Sequence, residues 1–65
     1  MPALNYYERL ILRYLYSHGK WSNTNHIAER TGIAWITAEK HLENLFRRGY
    51  VSKGRSGSVT YWRAR

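Results

Sequence analysis

Between Asn5 and Gly19 the apolar residues recur at helical spacing. At about 100° per residue, Tyr7, Leu10, Ile11, Tyr14 and Leu15 share one broad face and make a core stripe. Asn5 with Glu8 three residues later is a capping-box-like start, and Gly19, with His18 in the turn before it, is a stop. The pattern predicts a first helix over about 6–17. Leu12 and Tyr16 fall on its opposite side, flanked by Arg9 and Arg13, and form a second small apolar strip. Lys20-Trp21-Ser22 reads as a stub strand. Ser22-Asn23-Thr24-Asn25 is a cluster of good N-cap residues, and a second helix follows over about 24–31 with Ile27 and Ala28 inward. Gly32 breaks it. A third helix over about 34–48 has Ala38, Leu42 and Leu45 as its core stripe, with Phe46 at the edge and Ile33 packing just ahead of it. Its opposite stripe is Ile36, Thr37, Lys40, Glu43, Asn44 and Arg47.

After Gly49 the period changes. Tyr50-Val51-Ser52-Lys53 and Val59-Thr60-Tyr61-Trp62-Arg63 are β-branched and aromatic runs, joined by a flexible Gly54-Arg55-Ser56-Gly57-Ser58 tip. The predicted fold is a single domain over 1–65, mainly α with a small β-hairpin: three helices, then a two-stranded wing over about 50–63. Ala28, Gly32 and Ala38 carry the strongest local signal. A small residue four before a turn glycine and an apolar residue six after it is helix-turn-helix spacing. Ala28 lets the third helix cross close above the second, Gly32 makes the turn, and Ala38 seats the third helix.

Charge sharpens this picture. The 65 residues carry a formal +7; positions 1–46 hold five basic and all four acidic residues, and positions 47–65 hold six basic residues and no acid. Six like charges at one end of a small fold repel one another, so the arrangement favours a polyanionic partner. With no cysteine, disulfides and thiolate metal sites are excluded. His18, His26 and His41 lie on three different helical segments with no i,i+4 pair, so no metal and no cofactor is expected. No apolar run is long enough for a membrane span or a signal peptide, which leads us to expect a protein with no membrane partner, located in the cytoplasm (on the nucleoid in a prokaryote). No nucleophile–base pair, metal set or phosphate loop supports an enzyme.

The stretch Thr31-Gly-Ile-Ala-Trp-Ile-Thr-Ala-Glu-Lys-His-Leu-Glu-Asn-Leu-Phe-Arg-Arg-Gly-Tyr-Val51 resembles winged helix-turn-helix transcriptional regulators, and is most similar to the ArsR/MarR-like group. Gly57-Ser-Val-Thr-Tyr-Trp-Arg-Ala64 resembles that group's second wing strand. The resemblance covers about 22–64, and it implies sequence-specific binding of double-stranded DNA by a transcriptional regulator. The third helix would enter the major groove and the wing would follow the backbone or minor groove. The metal-sensing members use a cysteine pair that this chain lacks. Ala34 stands where the group often has a capping serine. Winged domains that bind left-handed duplexes share a wing-strand tryptophan, here Trp62. They use an Asn and a Tyr where this chain has Glu39 and Glu43, and a wing proline pair that is absent here, so that reading is set aside.

Under the DNA-binding reading, Lys40 reaches a base edge or phosphate, Thr37 and Asn44 donate or accept, Ile36 touches a thymine methyl, and Arg47 lies on the same outward face. Trp35 either faces DNA or packs toward Phe46. Glu43 is expected to pair with Arg47 at i,i+4. Arg55 with Lys53, Ser56 and Ser58 forms a wing tip for the minor groove or the phosphates. Thr24 and Asn25 are placed for a phosphate at the start of the second helix. The Leu12/Tyr16 strip is expected to form a homodimer interface. Two other readings remain: a winged-helix protein-interaction subunit of a transcription or replication assembly, and an RNA-binding winged helix.

Overall fold

In the computed structural model, which describes residues 3–65, the first helix, α1 (Tyr6–His18), begins at the predicted capping box. The Glu8 backbone N–H donates to Asn5 Oδ1 at 2.8 Å, and the Asn5 N–H donates back to Glu8 Oε1 at 3.2 Å. Gly19 ends the helix with φ +70°. A short strand, β1 (Ser22–Asn23), leads into α2 (Thr24–Thr31), where Asn23 Oδ1 accepts from the His26 N–H at 2.7 Å. Gly32 then takes φ +72°, a left-handed conformation that glycine adopts without steric cost, and the chain turns into α3 (Trp35–Arg47). Ala34 precedes α3 with no side-chain cap, as its side chain dictates.

Strands β2 (Val51–Ser56) and β3 (Val59–Ala64) form the antiparallel wing, and β1 pairs with the other edge of β3, giving the order β1-β3-β2. The stub expected over 20–22 is therefore a real third strand, displaced slightly toward α2. The expected five-residue tip is shorter than predicted. Pairing continues through Gly54↔Tyr61, Arg55↔Thr60 and Ser56↔Val59, leaving only Gly57 and Ser58 in the turn. Gly57 has φ +62° and among the described residues no non-glycine residue has positive φ, which is the sign pattern of a II′ turn whose twist matches the flanking strands. Trp21 lies over Gly54, where a Cβ would make only an ordinary van der Waals contact with the indole at 3.5 Å.

The core joins Ile11, Leu12 and Leu15 of α1, Ile27 and Ala28 of α2, Ile33, and Ala38, Leu42 and Leu45 of α3 to Val51 and Trp62 of the wing. Trp62 is the largest fully buried side chain, so the wing is a structural part of this core. Its Nε1–H donates to Thr24 Oγ1 at 2.8 Å, which satisfies the indole's one polar atom and ties β3 to the first turn of α2.

The inward face of α1 differs from the expected stripe. Tyr7 is 44% exposed, and the buried positions are Glu8, Ile11, Leu12 and Leu15. Leu10 and Tyr14 of the expected stripe are partly buried against the core, so the face is extended on the Glu8 and Leu12 side, where the Glu8 carboxylate, a group that hydropathy assigns to solvent, has partners on α3. Leu12, at 6% exposure, belongs to the core, while Tyr16 is 58% exposed. The two do not form an outward strip, and the observation that motivated a dimer interface there is corrected.

Candidate nucleic-acid interface

Ala28 and Ala38 are both buried where α2 and α3 meet, and the close approach they permit sets the angle of the helix pair. A second fixing point lies at the other side of α3. Glu8 Oε2 accepts from Asn44 Nδ2 at 2.8 Å and stands 3.1 Å from His41 Nδ1, while Arg48 lies 3.6 Å from Oε1. Burial disfavours ionisation of this carboxyl, but hydrogen bonds from Asn44, His41 and the Asn5 backbone, with the charge of His41, outweigh it and hold the carboxyl below its ordinary range. Glu8 thus anchors α1 to α3 through a buried carboxylate.

So held, α3 turns Trp35, Ile36, Lys40 and Arg47 outward. Ile36 is 74% exposed and Trp35 47%. Lys40 and Arg47 are exposed and have no hydrogen-bond or ion-pair partner among the described residues. Beside this row a cleft opens between α3 and the wing. Thr24, Asn25, Trp35, Lys53, Arg55 and Ser58 of the predicted residues line it. Ser56 is exposed just ahead of the turn. Thr37 is half-buried. Trp35 is thus open to solvent and on the cleft wall, rather than merged into the core.

Four expectations are corrected. Asn44 is committed to Glu8 on the α1 side of the helix, so its amide does not belong to the outward row. Thr24 is buried and its hydroxyl is taken by Trp62, because the wing closes over the start of α2. Lys53 does not project from the wing tip: its Nζ donates to Glu43 Oε2 at 2.8 Å and stands over the rings of Phe46 and Trp62. Glu43 therefore pairs across to the wing and not along the helix to Arg47. Sequence reasoning missed Asn23, Glu39, Glu43, Val59 and Thr60 as cleft-lining residues. The signal for Thr60 was present: with Trp62 inward on β3, Thr60 shares its face by strand period.

Among the described residues no group of three or more His, Cys, Asp or Glu is placed to hold a metal ion, and no helix is long and apolar enough to cross a membrane. His18 and His26, apart in sequence, come within 6.1 Å ring to ring beside Tyr14.

Residues 8–65, nearly the whole chain, match the family model for FaeA-like proteins. The chain belongs to the FaeA-like family. No curated protein matches it. This FaeA-like chain has the winged-helix fold, shared with several solved structures. One is the homodimeric winged helix-turn-helix DNA-binding domain of Mb0332 from Mycobacterium bovis, a possible ArsR-family regulator. The match has a TM-score of 0.80 at 30% identity over 92% of this chain and 54% of that one. Another is the Zα domain of PKZ from Carassius auratus, solved with Z-DNA, at TM-score 0.80 and 29% identity over 91% and 92% of the two chains. The PcaV transcriptional regulator of Streptomyces coelicolor matches at TM-score 0.88 and 22% identity over 95% of this chain and 45% of that chain. The FaeA-like chain thus spans about half the length of these two regulator chains and nearly all of the Zα domain.

Proposed function

We propose that this FaeA-like protein binds double-stranded DNA, without catalysis, as a transcriptional regulator that lays α3 in the major groove and the wing along the flanking backbone or minor groove. The observation that carries the reading is the α3 row itself. Ile36, Lys40 and Arg47 face solvent together, beside a wing that ends in exposed Arg55, Ser56 and Ser58. An α-helix fits the major groove, Lys40 supplies a donor for guanine acceptors or phosphate, and Ile36 supplies apolar contact for a thymine methyl. Arg55 supplies a cation for phosphate or the narrow minor groove. The similarity to Mb0332, whose solved domain is described as DNA-binding, supports the same reading.

Titration with duplex DNA, an RNA hairpin and single strands at two salt concentrations tests it. Duplex DNA should bind tightest, with affinity falling as salt rises. Tighter binding to the hairpin would favour RNA instead, and no salt-dependent binding to any of them would reject a nucleic-acid role. The exposed Trp35–Ile36 pair favours a second reading, a winged-helix subunit that docks a protein through the same face. In that case Ile36→Glu would abolish partner capture while leaving the fold intact.

A further inference from the structure

The chain carries +7, yet the cleft between α3 and the wing is nearly neutral. Glu39 and Glu43 line its helix side, and Lys53 and Arg55 its wing side. Two of the four acids in the chain thus border a space that a phosphate strand would pass if α3 and the wing straddled a duplex. Lys53 stands opposite Trp62 in the strand register, and its ammonium lies 5.5 Å from the Trp62 ring centre and 5.7 Å from that of Phe46. Its bond to Glu43 is 2.8 Å long, and both side chains are about two-thirds covered, so solvent ions screen the pair less than a surface pair. Contacts on α3 and β3 therefore hold this cation inward. Its charge is already neutralised by Glu43, and leaving Glu43 for a phosphate would put an unpaired carboxylate toward the DNA backbone.

We propose that Glu43 is a specificity-determining residue that acts by holding Lys53 away from the phosphates. The inference rests on the duplex-binding reading above and deepens it. Cations that meet phosphates raise affinity for every sequence alike, whereas contacts to base edges discriminate. By consuming one cation and adding a carboxylate at the cleft, Glu43 lowers the sequence-independent part of binding. Discrimination is then left to the Ile36–Lys40 row.

The test uses the full chain and a short duplex of arbitrary sequence, so no operator need be known. Glu43→Gln should bind this duplex more tightly than wild type. Its log K against log salt should be steeper by about 0.9, equivalent to a further ~3.5-fold loss between about 50 and 200 mM salt. Lys53→Gln in the wild-type background should leave the salt slope unchanged, as expected for a cation that neutralises no phosphate, any loss of affinity coming from the Glu43 carboxylate it uncovers. The same substitution in the Glu43→Gln background should abolish the gain. Glu29→Gln, at an exposed acid on α2 outside the cleft, makes the same net-charge change and should give less than half the effect. Thermal melts of each variant check that the fold is kept. Equal effects of Glu43→Gln and Glu29→Gln, or an equal fall in salt slope from Lys53→Gln in both backgrounds, would overturn the proposal while leaving duplex binding intact. Absence of salt-dependent duplex binding in wild type would overturn the DNA reading itself, and this proposal with it.

Discussion

Glu8, on the first turn of α1, accepts a 2.8 Å hydrogen bond from Asn44 on α3, thirty-six residues away in the chain. The same carboxylate caps its own helix and faces His41 and Arg48, so one nearly buried acid sets both the start of α1 and the seat of the helix that carries the candidate interface. Glu8→Ala leaves several half-buried donors without their acceptor and should destabilise the domain by about 2–3 kcal/mol. Glu8→Gln, which keeps the shape and part of the bonding, should cost less. Urea titration followed by circular dichroism checks the order; equal stability of Glu8→Ala and wild type would remove the anchoring role.

The pH dependence follows from the same group. Its carboxyl titrates below the ordinary value of 4.5 in the folded chain. In the window between the two values the unfolded state binds more protons, so stability falls as pH falls. The contribution is fully present above the ordinary carboxyl range and is lost as pH drops through the lowered folded value. Unfolding free energies measured from pH 6 downward should decline over this acid range for wild type, and less steeply for Glu8→Gln. Parallel curves would assign the acid sensitivity elsewhere.

Leu12 and Tyr16 separate a core position from a surface one on adjacent turns of α1. Leu12→Glu removes a buried side chain, a class of loss worth about 2–5 kcal/mol for truncation alone, and adds a carboxylate to the core. It should unfold the domain. Tyr16→Glu should stay within about 0.5 kcal/mol of wild type. Far-ultraviolet circular dichroism at room temperature distinguishes the two, and a folded Leu12→Glu protein would contradict the core placement.

Among the candidate contact residues, two classes of response are expected. Lys40→Ala and Ile36→Ala should relax base preference at particular positions, with about 1–3 kcal/mol of discrimination lost where contacts are bidentate, and leave melting unchanged. Arg55→Ala should weaken all sequences evenly. Thr24→Val and Asn44→Ala should act on stability instead. Thr24→Val leaves the buried Trp62 N–H without its acceptor, at about 1–3 kcal/mol. Sequence selection from a random duplex pool, run beside thermal melts, sorts them; a changed base preference in a fully stable Asn44→Ala protein would return that residue to the interface.

Local chemistry carried most of this fold in the sequence. Asn5 and Glu8 cap α1, Gly32 turns α2 into α3, and Ala28 and Ala38 allow their contact. The change to β-branched alternation after Gly49 marks the wing. Each of these depends on neighbours a few residues away, which is why spacing alone reveals them. The exposure of the candidate contact residues Ile36, Lys40, Arg47 and Arg55 was legible for the same reason: helical and strand periods place them away from the core. What only the tertiary structure decided are the long-range polar partnerships. Glu8 with Asn44, Thr24 with Trp62, and Glu43 with Lys53 each join residues from different elements. Hydropathy scores a carboxylate, a hydroxyl or an ammonium as solvent-facing, and a one-dimensional pattern holds no information on the partner that offsets its burial. These pairings bring Glu8 to the buried side of α1, remove Asn44, Thr24 and Lys53 from the free contact surface, and make the cleft of a basic protein almost neutral.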